Sequence, residues 1–222
     1  MYNKIEAVIF DLDGTLIDSM WVWKQIDIDY LQARGFELPD DLQCDVEGKS
    51  FTETALYFKE RFNISCSIDE IKQAWYDMAN HYYNHKIFLK KGARNFLRAV
   101  KNNHLKLGIG TSNTETLTKQ ILQKQGVLDY FDAITTSCEV AAGKPRPDVF
   151  LKSAQKLGVL PAHCLVFEDT LAGVMAAKRA GMKVIAIEDE ASLANKQEIM
   201  DLADDYITNF SPSFEVVQSL MR

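Results

Sequence analysis

Ile9-Phe10-Asp11-Leu12-Asp13-Gly14-Thr15-Leu16 decides the fold. It closes the apolar run Ala7–Phe10, which reads as a buried strand ending in two acids. A charge left inside a sheet is costly, so the acids must stand where the strand stops. In open α/β sheets those carboxyl ends are where ligands bind. Along an extended chain residues i and i+2 share a face, so Asp11 and Asp13 can converge while Leu12 packs away. Gly14 lets the chain turn sharply. Two carboxylates this close repel unless a cation intervenes. A hard divalent ion with oxygen ligands suits them, and Mg²⁺ is the natural choice. The plainer alternative is an acidic loop that caps a helix.

Outward from this strand, Leu105–Gly110, Cys164–Phe167 and Val184–Ile187 are further short apolar runs bounded by polar or turn residues. They read as buried parallel strands, with Ala133–Thr135 and Tyr206–Thr208 as weaker candidates. Between them Glu115–Lys124, Asp148–Leu157, Ala172–Ala180 and Phe214–Met221 read as helices. Such alternation predicts a parallel sheet covered on both faces. Residues 19–87 break the rhythm and contain no buried strand pattern. Helices are expected there at Met20–Ala33, Thr52–Phe62 and Ile68–Tyr83. Trp21, Trp23, Ile26 and Ile28 would carry the first, and Ile64, Ile68, Ile71, Trp75, Met78 and Tyr82 recur at helical spacing further on. Ser67 with Glu70 fits a capping box. Ala93–Lys101 then returns the chain to the sheet. The division expected is a core of residues 1–18 and 88–222, with a helical unit at 19–87.

A second acidic pair, Glu168-Asp169, ends the strand Cys164–Phe167 and precedes a helix. Alone, it could be favourable charge at a helix N-terminus. Beside a first strand that ends the same way, it reads as the rest of a metal cage. Gly110-Thr111-Ser112-Asn113 follows another strand; a hydroxyl and free N–H groups there can cradle a phosphate, or simply cap a helix. In Gly143-Lys144-Pro145-Arg146-Pro147-Asp148 the prolines stiffen a loop, so Lys144 can be held in place. Asp148 reads as a helix cap.

Asp11-Leu-Asp-Gly-Thr-Leu, Thr111-Ser-Asn, Lys144-Pro-Arg-Pro-Asp and Glu168-Asp-Thr-Leu-Ala-Gly, in that order, resemble the four motifs of the haloacid dehalogenase superfamily. The likeness runs from Val8 to about Ile187. It implies an α/β fold, a parallel-sheet, Rossmann-like core with an inserted small α-helical cap. It further implies Asp11 as nucleophile and Asp13 as general acid and base. Thr111, with the Ser112 and Asn113 backbone, would bind phosphate, and Lys144 would be the cation on nucleophile and phosphate. Mg²⁺ would be held by Asp11, the Asp13 carbonyl and Asp169, with Glu168 in or next to that shell.

The chemistry implied is a Mg²⁺-dependent phosphatase that hydrolyses a small phosphate monoester through an aspartyl-phosphate. The mutases this sequence resembles carry a His in the first cap helix and an Arg in the cap loop, where Trp23 and Phe51 stand here. A β-phosphoglucomutase-like activity is therefore the second choice, and a non-catalytic phosphate-binding module the third. The dehalogenases lack the Asp-x-Asp pattern, which Asp13 completes. Gly48-Lys49-Ser50 falls between two cap helices, so Lys49 is expected to touch substrate rather than stay a solvated loop lysine. Trp21 and Trp23 could line an apolar wall. His81, His85, His104 and His163 fall outside every motif.

The 222 residues allow one domain with an insertion or two small ones. With 47% hydrophobic and 25% charged residues, the composition is that of a soluble globular protein. A formal charge of −6 argues against a dedicated nucleic-acid or anionic-membrane partner. No apolar run is long enough to span a bilayer. Cys44, Cys66, Cys138 and Cys164 are scattered, which suits free thiols and a cytoplasmic location. A monomer is expected, since the cap already covers the sheet end.

Overall fold

The computed structural model describes residues 5–211. Six strands, β1 (Ala7–Phe10), β2 (Lys106–Thr111), β3 (Ala133–Thr136), β4 (Cys164–Glu168), β5 (Lys183–Ile187) and β6 (Asp205–Ile207), form one sheet. Its order is β3-β2-β1-β4-β5-β6, and every pairing is parallel. The sheet is thus the parallel, Rossmann-like one expected, and both weaker strand candidates are strands at its edges. The helix expected at Phe214–Met221 lies outside the described residues.

All four residues of β1 are buried, as an apolar run without alternation requires. Their side chains still alternate between two cores. Val8 and Phe10 face one, with Leu165, Phe167, Phe96 and Leu12. Ala7 and Ile9 face the other, with Val166, Phe150 and Val174. The Phe10 ring stacks on Phe167 at 5.2 Å and meets Phe96 edge-on at 6.0 Å. Each such side chain contributes about 1.5–3 kcal/mol by leaving water, so β1 is pinned from both sides. Helices α5 (Ala93–Asn102) and α6 (Glu115–Lys124) cover the first face; α7 (Asp148–Leu157), α8 (Leu171–Arg179) and α9 (Lys196–Leu202) cover the second. Asp148 is the first residue of α7 and makes no capping bond; Pro147 holds the cap position.

Between β1 and β2 lie α1 (Met20–Gln32), α2 (Leu42–Val46), α3 (Phe51–Arg61) and α4 (Ile68–His85). Capping boxes start two of them. Ser67 and Glu70 do so at α4, as the sequence indicates, and Ser50 and Glu53 do the same at α3. Helix α4 buries Ile71, Trp75, Ala79 and Tyr83, a strict four-residue ladder that the Met78 and Tyr82 reading misses by one position. Helix α1 buries Val22, Ile26, Tyr30 and Leu31, while Trp21 is 44% exposed. Tyr30, Phe58 and Trp75 pack edge-on between the helices of the insert, in a hydrophobic cluster continuous with the first face of the sheet.

Where the insert departs and returns, the two connections run side by side. Ile17 bridges to Leu89, and Lys90 N–H donates to the Leu16 carbonyl at 2.9 Å. No helix among the described residues is long and apolar enough to cross a membrane.

Candidate active site

The C-terminal ends of β1, β2 and β4 bring three of the sequence motifs to one spot, and the loop before α7 supplies the fourth. Lys144 Nζ lies 2.6 Å from Asp11 Oδ1 and 2.5 Å from Glu168 Oε1. Its side chain is almost entirely buried. Burial alone would lower the lysine pKa, but Asp11 and Glu168 outweigh it and hold the ammonium above its usual range. The second Glu168 oxygen accepts from the Asp169 and Thr170 N–H groups at 2.9 and 3.0 Å and from the Thr170 hydroxyl at 3.2 Å. Both oxygens of Glu168 are therefore engaged within the protein.

Asp169 differs. One oxygen accepts from the Thr15 hydroxyl at 2.7 Å, while the other, Oδ2, is buried with no hydrogen-bond partner. Gly14 has φ +79°, and a Cβ placed there would stand 2.2 Å from this oxygen. Only glycine allows the turn after β1 to pass so close. Burial pushes the Asp11 carboxyl up to about 8; Lys144 opposes that rise and Glu168 adds to it. Burial, then Glu168 and Asp11, raises Asp169 as well.

The Asp13 carboxylate is ringed by donors. Ser19 Oγ and Trp23 Nε1 reach its Oδ1 at 2.6 and 3.1 Å, and Asn113 Nδ2 reaches its Oδ2 at 2.8 Å. The Tyr83 hydroxyl also donates to Oδ1, and itself accepts from Asn113 Nδ2 at 2.9 Å. Asn113 thus uses its side chain here; its N–H donates to Thr111 Oγ1 at 3.0 Å. Thr111 is buried at the end of β2. Ser112 Oγ donates to the Gly48 carbonyl of the insert at 3.1 Å.

Above these groups is a cavity of about 150 Å³ whose other wall comes from the insert. Trp23, Phe51 and Trp75 supply its aromatic surface. Trp21 does not line it and packs on Tyr82 instead. Lys49 lines the cavity, yet its ammonium donates to the Asp45 carbonyl at 2.5 Å. None of the four histidines lines it. Tyr83, Ser19 and Thr15 are site residues that sequence reading missed. For Tyr83 a signal existed, the four-residue ladder on α4; for Ser19 and Thr15 none did.

Residues 8–187 match the sequence profile of the haloacid dehalogenase-like hydrolases. The chain belongs to that family. This haloacid dehalogenase-like hydrolase is 33% identical over 204 residues to a bifunctional riboflavin kinase/FMN phosphatase of Arabidopsis thaliana, covering 91% of this chain and 53% of that protein. It is 29% identical over 181 residues to a phosphorylated carbohydrates phosphatase of Thermotoga maritima, covering 82% of this chain and 84% of the relative. A β-phosphoglucomutase structure from Clostridium difficile superposes with a TM-score of 0.80 at 25% identity, covering 98% of this chain and 97% of that one.

Among the described residues, no three acidic, histidine or cysteine groups are already drawn together as a closed metal cage. The donors of this hydrolase nevertheless fit a hard divalent cation. The unpartnered Asp169 oxygen is the deciding feature, because a buried carboxylate oxygen left unsatisfied is expensive and a cation would satisfy it.

Proposed function

We propose that this protein is a Mg²⁺-dependent phosphatase acting on a small phosphorylated metabolite through an aspartyl-phosphate. Family and relatives make it a haloacid dehalogenase-like phosphoric monoester hydrolase. The observation that carries the reading further is the buried Asp11–Lys144–Glu168 bridge beside the unpartnered Asp169 oxygen, at the floor of a cavity closed by the insert.

In this reading Asp11 attacks phosphorus and the alcohol leaves. Lys144 keeps the attacking carboxylate oriented and adds positive charge where phosphate oxygens gather. Asp13 protonates the departing oxygen, then takes a proton from the water that releases phosphate from Asp11. Thr111 and the backbone that follows it bind the phosphoryl oxygens. Asp11, Asp169 and the Asp13 carbonyl would hold Mg²⁺, and Glu168 would buttress them by fixing Lys144 and the turn after β4. When bound, Mg²⁺ supplies the charge that lets a carboxylate approach a phosphate dianion.

A mutase is the second reading, favoured by the overall match to the β-phosphoglucomutase structure. A bisphosphate intermediate needs a second phosphate site. On the insert wall Trp23 is committed to Asp13, Phe51 is apolar and Lys49 is tied to a carbonyl, so that wall has no free cation among its described residues.

Phosphate release from p-nitrophenyl phosphate should require Mg²⁺ and stop with EDTA, and Asp11→Asn should lose at least about 10⁴-fold in kcat while staying folded. Mg²⁺-independent turnover, or an active Asp11→Asn, overturns the proposal. Conversion of β-glucose 1-phosphate to glucose 6-phosphate with a bisphosphate primer, without matching phosphate release, replaces it with the mutase.

A further inference from the structure

Three polar side chains on the insert wall of the cavity play no part in the chemistry above. Asp27 comes from α1, Gln43 from α2 and Thr54 from α3. None of them makes a side-chain hydrogen bond or ion pair with another described residue. Elsewhere in the insert such groups are used. Asp45 accepts from Tyr57 and Arg61, and Glu53 closes a capping box. All three are partly buried, and three helices thus present unpaired polar groups at one wall beside an aromatic surface, the arrangement by which a pocket orients a ligand.

The chemistry of the missing partner can be read from this wall. Asp27 accepts only, once ionised, and Gln43 and Thr54 both donate and accept. Glu47, the other acid on the insert wall, accepts from Ala172 N–H at 2.9 Å. The one lysine, Lys49, is turned to Asp45. The wall therefore repels an anionic substituent and holds no free cation to offer it. Burial pushes the Asp27 carboxyl up to about 7, because no positive group compensates it. Beside these groups Trp23 and Trp75 meet Phe51 edge-on at 5.8 and 5.5 Å, giving an aromatic surface that the C–H groups of a polyol can touch.

Resting on the phosphatase reading, we propose that Asp27, Gln43 and Thr54 form the specificity site, and that it selects a neutral polyhydroxylated leaving group by binding its hydroxyls. A site built to hydrogen-bond hydroxyls penalises a leaving group that lacks them, because its own groups are then stranded.

The test uses the full chain with Mg²⁺ on four esters: sorbitol 6-phosphate, p-nitrophenyl phosphate, 2-phosphoglycolate and O-phosphoethanolamine. Sorbitol 6-phosphate should exceed 2-phosphoglycolate in kcat/KM by about a hundredfold or more. Asp27→Asn and Thr54→Val should each lower the ratio of kcat/KM for sorbitol 6-phosphate over p-nitrophenyl phosphate by about tenfold, chiefly through KM. Two near-isosteric variants on different helices guard against misfolding of either one. An unchanged ratio in both overturns the proposal. So does a preference for O-phosphoethanolamine that Asp27→Asn abolishes, which would assign the wall to a cation. A wild-type chain that hydrolyses p-nitrophenyl phosphate yet fails these tests leaves the phosphatase standing; one that hydrolyses no ester removes both readings.

Discussion

The Tyr83 hydroxyl on α4 donates to the carboxylate of Asp13 in the turn after β1, so the insert reaches the proposed acid and base directly. Trp23, on α1, donates to the same oxygen at 3.1 Å and to Tyr83 at 3.2 Å. Two helices of the insert thus fix one core side chain. Tyr83→Phe keeps the ring and removes the donor. A hydrogen bond to a charged group contributes about 1.5–3 kcal/mol. Steady-state kinetics should show kcat reduced by roughly 10- to 100-fold with KM little changed. An unaltered kcat would remove Tyr83 from the positioning of Asp13.

The unpartnered Asp169 oxygen makes a thermal prediction. A ligand at about 100 times its Kd stabilises by about 2.7 kcal/mol. For a chain of this size each kcal/mol moves Tm by about 2–4 °C. Saturating Mg²⁺ should therefore raise the wild-type Tm by about 5–10 °C in a calorimetric scan. Asp169→Ala should abolish the response, and an equal rise in that variant would place the ion elsewhere.

Lys144 is flanked by two buried carboxylates, so its loss should be felt by the fold as well as the chemistry. Lys144→Met leaves Asp11 and Glu168 without their shared cation. Breaking a buried ion pair on one side costs about 3–5 kcal/mol. Urea unfolding of the metal-free variant should show a loss of that order, together with loss of turnover. Wild-type stability would show that the bridge contributes nothing to the fold.

Asp27 carries a pH signature. Its folded pKa, about 7, stands above the ordinary value of 3.8, so between those values the folded state binds more protons than the unfolded one. Stability must then fall as pH rises through this window. The contribution is fully present below pH 4 and gone above pH 7. Asp27→Asn removes the titration, so its Tm relative to wild type should be higher at pH 8 than at pH 5. A difference independent of pH would mean that Asp27 is already solvated or paired.

The sheet and the motif residues were legible in sequence because their signals are local. Ile9 to Asp13 announces a buried strand with an acidic end, and Lys144 stands out by its Gly and Pro neighbours. Ser50 and Glu53 repeat the Ser-x-x-Glu pattern that Ser67 and Glu70 display, so the start of α3 was readable too. The five residues of α2 are too few to establish a period. The ladder on α4 marks Tyr83 as buried but not its role: its partner Asp13 is 70 residues away, and no spacing rule reports a contact made by tertiary packing. The same holds for Asn113, whose side chain reaches Asp13 across 100 residues although its position suggested only a cap or a phosphate cradle.

The central place of β1 has a consequence for the chain as it is synthesised. Ala7–Phe10 are made well before either neighbour: β2, paired from Ala7↔Lys106 to Phe10↔Ile109, and β4, paired from Ala7↔Cys164 to Phe10↔Phe167. The strand must wait for both while the helices between are translated. A chain that stops anywhere before β4 has an open flank in the middle of its sheet and no Asp169. The middle of the sheet and the site therefore close together, once β4 is made, and a product cut short of it exposes the apolar edge that chaperones and proteases recognise.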